Sequence, residues 1–543
     1  MQEGMLDHQE IEWQLDAADL ERVGAWLEDH PNLSGLNIVP AETKELTDTY
    51  YDTDDWRLYR AGYALRVRRD GERAEATMKS LATAENALKR RREISEPLEG
   101  GGEIPKGTGG PVGERLRRLA GDLRPLFEVR TRRRTFTLWP ESTLTGPDGV
   151  VEDAAGDIRR AGVERERAVG ELALDESEFS GEEPLRLKRV EIEVSSEHGL
   201  HDGVGDFVET LRGALGLGPA GDSKFRTGLA AAGLSPAVAP DLGTTQVDAS
   251  MTAGEVAFAI LRRHFAAVLA HEPGVRLGED AEELHDMRVA TRRLRAALKL
   301  YAEALPKRAG RYERDLRSFA NALGEVRDLD VHLERLAGEG ARNGDAIEEV
   351  AAVLEERRTE ARRRVLRMLD SNRYERFVAN FSGTLRRGRS PAPTAPILEA
   401  APDLVRRRFR KVSKAADALS ESSSREDFHD LRKKGKRLRY ALEPLQVIYG
   451  KPSEKMVELL KEIQDQLGDH QDLIVAAGLM RELGSAADLP PRTVFSMGSI
   501  AEHHIRAAAE LRADFLGSEQ LRALKGGKPW KRLRKKMKKK AGG

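Results

Sequence analysis

The sequence predicts an α+β multidomain protein, with a strand-rich N-terminal half followed by an all-α, internally duplicated C-terminal half. Three observations predict it. Apolar and polar residues alternate with a period of two in several stretches before residue 231. From about residue 251 the pattern is that of helices, rich in Ala, Leu, Arg and Glu and poor in β-branched residues. Between the two the charge changes sign: residues 1–250 hold 32 basic and 48 acidic residues, a balance of −16, and residues 251–543 hold 58 and 43, a balance of +15. The net charge of −1 over 543 residues is therefore a cancellation, and it calls for a charged partner for at least the basic half.

The chain has no cysteine, which excludes disulfides, thiolate zinc sites, iron–sulfur clusters and a Cys nucleophile. Walker A, HExxH and GxSxG motifs are absent. The opening MQEGMLDHQEIEWQLDAADL has no basic segment leading into an apolar one, and no stretch approaches the roughly 18 apolar residues of a membrane helix. A soluble cytoplasmic protein with no membrane partner is expected.

The strand elements come first. Glu10-Ile11-Glu12-Trp13-Gln14-Leu15, Ala64-Leu65-Arg66-Val67-Arg68, Thr77-Met78-Lys79 and Val190-Glu191-Ile192-Glu193-Val194 alternate polar and apolar residues. Three of them set like charges on one face: Glu10 with Glu12, Arg66 with Arg68, Glu191 with Glu193. A solvated sheet face is the ordinary reading, but same-sign faces on several strands point to a counter-charged ligand or metal. Paired carboxylates suit a hard cation such as Mg²⁺ or Mn²⁺, and basic residues on other strands suit the oxygens of a phosphate chain. The matching chemistry is metal-assisted attack of water on a terminal phosphoryl group.

Two connectors divide the chain. Ala231–Ser250 is poor in charge and carries Pro and Gly, and Ser382–Pro402 holds four prolines, which helix interiors do not tolerate. The expected organisation is a first domain over 1–230, a linker over 231–250, and a helical domain over 251–540 built of repeats 251–381 and 403–540.

The repeat is visible in two motif pairs. Leu284-His285-Asp286-Met287-Arg288 aligns with Phe428-His429-Asp430-Leu431-Arg432, and Leu323-Gly324-Glu325 with Leu467-Gly468-Asp469, both 144 residues apart. At about 100° per residue, His285, Arg288, Arg292 and Arg295 fall within an arc of roughly 80°. His429, Arg432, Lys436 and Arg439 repeat the spacing. Separate stripes, Leu284, Met287, Leu294 and Leu298 in one and Phe428, Leu431, Leu438 and Leu442 in the other, face a core. Stacked like charges destabilise a helix by about a few tenths of a kcal/mol per pair, so a bound polyanion is expected to offset them. An extended phosphate chain fits forked Arg donors and a titratable His. Nucleic acid is the competing polyanion, and the segment Lys525–Lys540 would suit it, but aromatic and amide side chains for base contacts are few in this half.

These residues resemble two known families. Glu10-Ile11-Glu12, Leu65-Arg66-Val67-Arg68, Thr77-Met78-Lys79, the Arg130–Arg134 run, Glu191-Ile192-Glu193 and Ser223-Lys224-Phe225-Arg226 resemble the CYTH domain of triphosphate tunnel metalloenzymes, and the duplicated His-x-x-Arg helices resemble the CHAD domain. The resemblance implies an eight-stranded antiparallel β tunnel or barrel with flanking helices, ahead of an all-α polyphosphate-binding module. By it, Glu10, Glu12, Glu191 and Glu193 are the catalytic, metal-binding set for Mg²⁺ or Mn²⁺. Arg66, Arg68, Lys79, Arg130, Arg132 and Lys224 hold inorganic or nucleoside triphosphate, even positions being preferred within the Arg run. The helical residues named above bind inorganic polyphosphate, whose granules are a compatible location. The family's opening pattern is Glu-x-Glu-x-Lys, and here Gln14 stands at the fifth position. An amide donates a hydrogen bond but brings no positive charge, so binding is expected to survive it better than turnover. Triphosphatase, non-catalytic polyphosphate binder and class IV-like adenylate cyclase therefore all stand as readings.

Overall fold

In the computed structural model the chain divides into two compact units, Met1–Val238 and Ala239–Gly543, which part within the charge-poor stretch 231–250. The structure describes residues 6–81, 88–98, 110–119, 121–140, 168–180, 185–194, 202–236, 240–343, 345–390, 393–486 and 489–542.

The first unit is a closed antiparallel barrel. Strands β1 (Leu6–Asp16), β3 (Leu36–Thr53), β4 (Tyr63–Asp70), β5 (Arg73–Ser80), β6 (Leu88–Leu98), β7 (Leu123–Pro140), β8 (Gly170–Phe179) and β9 (Leu185–Val194) pair in the order β1-β6-β5-β4-β3-β7-β8-β9. β9 pairs back to β1 and closes the ring; short β2 (Asn32–Leu33) and β10 (Gly218–Pro219) extend β3 and β1. Closure removes the exposed edges an open sheet would leave.

Its alternation is inverted relative to a barrel with an apolar interior. Leu15, Val190, Ile192, Leu172 and Leu174 point outward and are buried against Val23 and Leu27 of α1 (Leu20–Asp29) and Phe207, Val208 and Leu211 of α4 (Asp202–Leu215). The helices supply the apolar burial, at roughly 1.5–3 kcal/mol for each large side chain. That leaves the inward row free to be polar. Asp19 caps α1 by accepting from the backbone N–H of Glu21 at 3.0 Å, which fixes its start against the barrel. α2 (Arg57–Arg60) and α3 (Pro111–Leu119) lie between strands, and α5 (Lys224–Ala231) buries Phe225 and Leu229 against Tyr50 and Phe127.

The second unit is all-helical: α6 (Ala253–Leu277), α7 (Ala281–Leu300), α8 (Ala309–Asn343), α9 (Asp345–Leu369), α10 (Asn372–Arg387), α11 (Ile397–Asp417), α12 (Arg425–Leu442), α13 (Gln446–Tyr449), α14 (Lys451–Ala486), α15 (Pro491–Gly517), α16 (Glu519–Leu524) and α17 (Lys528–Ala541). The duplication is structural: α11 starts 144 residues after α6 and α12 144 after α7. Equivalent caps start α7 and α12, Asp280 accepting from Glu282 N–H and Ser424 from Asp427 N–H. The predicted apolar stripes of both helices are buried.

The proline-rich connector is shorter than the sequence suggests. Residues 382–387 finish α10 and 397–402 begin α11, with Pro402 inside the helix. Only the link itself breaks the helices, because Gly388, at φ 54°, ends α10 in the left-handed region. No helix among the described residues is long and apolar enough to cross a membrane.

Candidate functional site

The barrel encloses a cavity of about 610 Å³ in which charged side chains form the larger part of the lining. Its position follows from register. Glu12 on β1 lies directly across from Glu193 on β9, Glu193 across from Glu171 on β8, and Gln14 across from Glu191. Four glutamates and one glutamine thus share one inner wall.

Opposite charge enters from the other strands. Arg66, Arg68 and Lys79 line the cavity, as the alternation of β4 and β5 predicts. Lys79 Nζ donates to Glu10 at 2.7 Å and meets Glu93 at 2.5 Å; Arg91 pairs with Glu12. Arg68 grips Asp48 through two bonds of 2.8 Å, and Arg66 approaches the same carboxylate at 3.7 Å. Lys224, the first residue of α5, is buried against Asp175 and lies 3.1 Å from Glu191.

The Arg130–Arg134 run corrects the sequence reading. Arg133 enters the cavity, donating to Asp175 at 2.7 and 2.6 Å and to Glu191 at 2.6 Å. Arg130 and Arg132 lie on the outer face, where Arg130 pairs with Glu128 at 3.2 Å and Arg132 stands 4.0 Å from Glu45. The odd positions point inward because Thr131 and Arg133 sit across from Ser177 and Asp175, and a buried carboxylate needs a cation beside it. Consecutive arginines show no alternation of their own, so parity had no signal there. Asp48, Asp175, Arg91, Glu93 and Glu171 also escaped sequence reading; Asp175, an acid between Leu174 and a run of polar residues, was the one recoverable hint.

The electrostatics separate the glutamates. Burial opposes ionisation of Glu191, yet Lys224 and Arg133 hold its pKa well below the ordinary carboxylate range. Burial and the neighbouring Glu10, Glu93 and Glu171 push Glu193 up to about 7, against the pull of Lys79. Asp48, although buried, is kept far below its usual value by Arg68 and Arg66.

Whether this wall suits a divalent metal can be judged from its donors. No group of three or more Asp, Glu or His side chains is gathered as a ready ligand set among the described residues. The donor chemistry nevertheless fits a hard cation: Glu193 makes no ion pair among the described residues and is destabilised by neighbouring carboxylates, a repulsion that a cation would relieve. Glu193, with Glu10 and Glu12 once these exchange Lys79 and Arg91, would hold it, while Glu191 is engaged by both Arg133 and Lys224.

In the helical unit α7 packs against α12 and brings their basic faces together. Burial, then Arg292, Arg432, Arg439 and Arg288, push the ammonium of Lys436 down to about 7. Buried Nε atoms of Arg292 and Arg432, and Nδ1 of His285 and His429, have no hydrogen-bond partner among the described residues, while Arg439 Nε lies 3.3 Å from Glu443 at the end of its own helix. Arg295 differs from the prediction: it turns to Glu313 on α8, at 3.2 and 3.3 Å, and leaves the cluster. The second repeated motif serves the first. Arg432 lies 3.0 Å from where a Cβ on Gly468 would be, so that glycine gives its guanidinium room, while at the equivalent Gly324 Arg288 stands 3.6 Å off, an ordinary contact.

A model of the CYTH domain matches residues 25–227, and a model of the CHAD domain matches residues 259–481. The chain joins a CYTH domain to a CHAD domain. Strand β1, with Glu10, Glu12 and Gln14, precedes the matched CYTH span yet completes its barrel. The uncharacterized protein MT2285 of Mycobacterium tuberculosis is 27% identical over 506 residues, which is 89% of this chain and 91% of that protein. The crystal structure of the CHAD domain from the plant Ricinus communis is similar at 26% identity, with a TM-score of 0.43, covering 50% of this chain and 96% of that one. HpAC1 from Hippeastrum, a candidate adenylyl cyclase described as having a dominant triphosphatase activity, is similar at 15% identity, with a TM-score of 0.28, covering 42% of this chain and 97% of that one. CYTH tunnel enzymes bind triphosphates, generally with Mg²⁺ or Mn²⁺, and include triphosphatases.

Proposed function

We propose that the CYTH tunnel hydrolyses inorganic triphosphate or a related triphosphate with Mg²⁺ or Mn²⁺, and that the CHAD domain binds inorganic polyphosphate. The observation that carries the first part is the way the cavity's cations are anchored: Arg68 is oriented by buried Asp48 and Arg133 by buried Asp175. Fixed forks cost little reorganisation when a phosphate chain enters between them. Arg66, held at 3.7 Å and with a buried Nε that has no partner among the described residues, keeps a donor for a ligand. Water attacks the terminal phosphorus, the bond to the bridging oxygen breaks, and diphosphate leaves. The water's proton passes to a carboxylate of the glutamate wall. A divalent cation, when bound, neutralises charge on the phosphate oxygens.

Phosphate release from tripolyphosphate with Mg²⁺ or Mn²⁺ tests the reading, with Glu10→Ala and Glu191→Ala expected to abolish it. Activity untouched by both changes would sink the assignment. Gln14 favours a second reading, a tunnel that binds without turnover; intact triphosphate binding with no metal-dependent release would select it. Production of cyclic AMP rather than phosphate from ATP would select a cyclase.

The buried donors of Arg292 and Arg432, unpartnered among the described residues, support the CHAD part, since buried N–H groups are otherwise nearly always satisfied. Arg288→Ala combined with Arg432→Ala is expected to weaken binding of long-chain polyphosphate. A preference for nucleic acid at equal charge concentration would overturn it.

A further inference from the structure

Helix α17 lies beyond the residues that the CHAD model matches. Its three large apolar residues are committed to the core: Trp530 stacks on Phe409 of α11 with ring centroids 3.8 Å apart and an interplanar angle of 8°, and Leu533 and Met537 are buried in the same core. The rest of the helix is cationic. Lys531, Arg532, Arg534, Lys535, Lys538 and Lys539 are exposed, and none of them makes an ion pair among the described residues. Like charges stand at i and i+4 in Lys531 with Lys535, Arg534 with Lys538, and Lys535 with Lys539, a pattern that opposes helix formation and persists here because the apolar anchor holds it.

This ridge does not stand alone. α11 packs against both α17 and α12, and its Arg407, Arg410, Lys411 and Lys414 are exposed and without ion pairs among the described residues. Arg408 of α11 has its pKa lowered by burial and by two cations, Arg407 on its own helix and Arg437 on α12. Basic groups therefore run from the α7–α12 groove across α11 to α17 with no carboxylate partner at these positions.

We propose that α11 and α17 form a second phosphate-binding surface continuous with the groove, so that one long inorganic polyphosphate chain lies along both and the domain prefers long chains. The inference rests on the reading of the groove as a polyphosphate site. An anionic membrane is the poorer occupant, since the apolar face of α17 is already buried and nothing remains to insert. Single-stranded nucleic acid would want stacking platforms, and the one aromatic residue of α17, Trp530, is buried against Phe409. A single-file phosphate chain can reach the buried donors of the groove and continue onto an open ridge, with each added contact made at high effective concentration.

The test compares the full chain with the variant Lys531→Gln, Arg534→Gln, Lys535→Gln, Lys538→Gln, using short-chain and long-chain polyphosphate without divalent metal. The tunnel is common to both proteins, so a difference between them belongs to the ridge. Long-chain affinity is expected to fall by about tenfold or more with a shallower salt dependence, while short-chain affinity and helicity stay unchanged. Unchanged long-chain affinity, an equal loss for both lengths, or duplex DNA displacing long-chain polyphosphate from the wild-type protein at equal charge would overturn the proposal. Arg292→Ala with Arg432→Ala separates the two claims: if that pair leaves short-chain binding intact while the ridge variant weakens long-chain binding, the groove reading fails and the ridge stands.

Discussion

The amide nitrogen of Gln14 lies 2.9 Å from a carboxylate oxygen of Glu12 and donates to it, and it reaches Glu191 at 3.4 Å. A neutral side chain therefore bridges two acids on neighbouring strands, at the position where the family pattern has a lysine. Both side chains that it bridges are carboxylates, so a lysine ammonium at this position would keep acidic partners. Gln14→Lys is expected to raise kcat for metal-dependent phosphate release, by about tenfold for each 1.4 kcal/mol of added transition-state stabilisation. Steady-state kinetics on tripolyphosphate check it; a kcat that stays flat while KM falls would mean that the charge serves binding alone.

Asp175 is fully buried between Arg133 and Lys224. Removing its charge leaves two cations to share Glu191. Asp175→Asn is expected to destabilise the barrel by about 3 kcal/mol, within the range seen when one member of a buried ion network is removed. Denaturant unfolding followed through Trp13, Trp26, Trp56 and Trp139, all in the first unit, reads the change. An unaltered midpoint would show that the network adds nothing to stability.

Glu193 gives a pH signature of definite sign. Its folded carboxyl is raised to about 7 from an ordinary 4.5, so between these values the folded chain binds more protons than the unfolded one. The stability of the barrel therefore falls as pH rises through that window. Glu193→Gln, which cannot titrate, should flatten this part of the profile. Thermal unfolding at pH 5, 6 and 7 makes the comparison, and identical slopes for both proteins would remove Glu193 as the cause.

The outline of the barrel was legible because a period of two survives in β1, β4 and β9, and because Glu10, Glu12, Arg66, Arg68, Glu191 and Glu193 mark one face by charge. The duplication was legible because two motif pairs share one offset. What the chain hides is pairing across the barrel. Same-sign faces pointed to a counter-charged ligand or metal, yet Lys79 with Glu10 and Arg133 with Glu191 relieve much of the repulsion internally. Asp48 and Asp175 become anchors only when β4 and β7 are set beside them. Arg295 kept its helical phase but met Glu313, a residue of another helix that no periodicity in α7 could announce.

Lys436 ties the CHAD groove to pH. Its ammonium is pushed down to about 7 by burial and by Arg292, Arg432, Arg439 and Arg288, so near neutrality a large share of the free protein carries it uncharged. A phosphate chain entering the cluster would reverse the balance, since its negative charge stabilises the ammonium and offsets the four guanidinium groups. Binding should then take up a proton above pH 7, and affinity should decline as pH rises from 6 to 8, more steeply than a fully charged arginine surface would allow. Calorimetry in two buffers of different ionisation enthalpy measures the proton directly. Lys436→Met removes the titrating group while keeping its stem, and is expected to abolish both the proton uptake and the extra slope. Proton uptake that survives in the variant would shift the cause to His429, whose pKa is lowered by burial and by Lys433 and Arg432 in the same way.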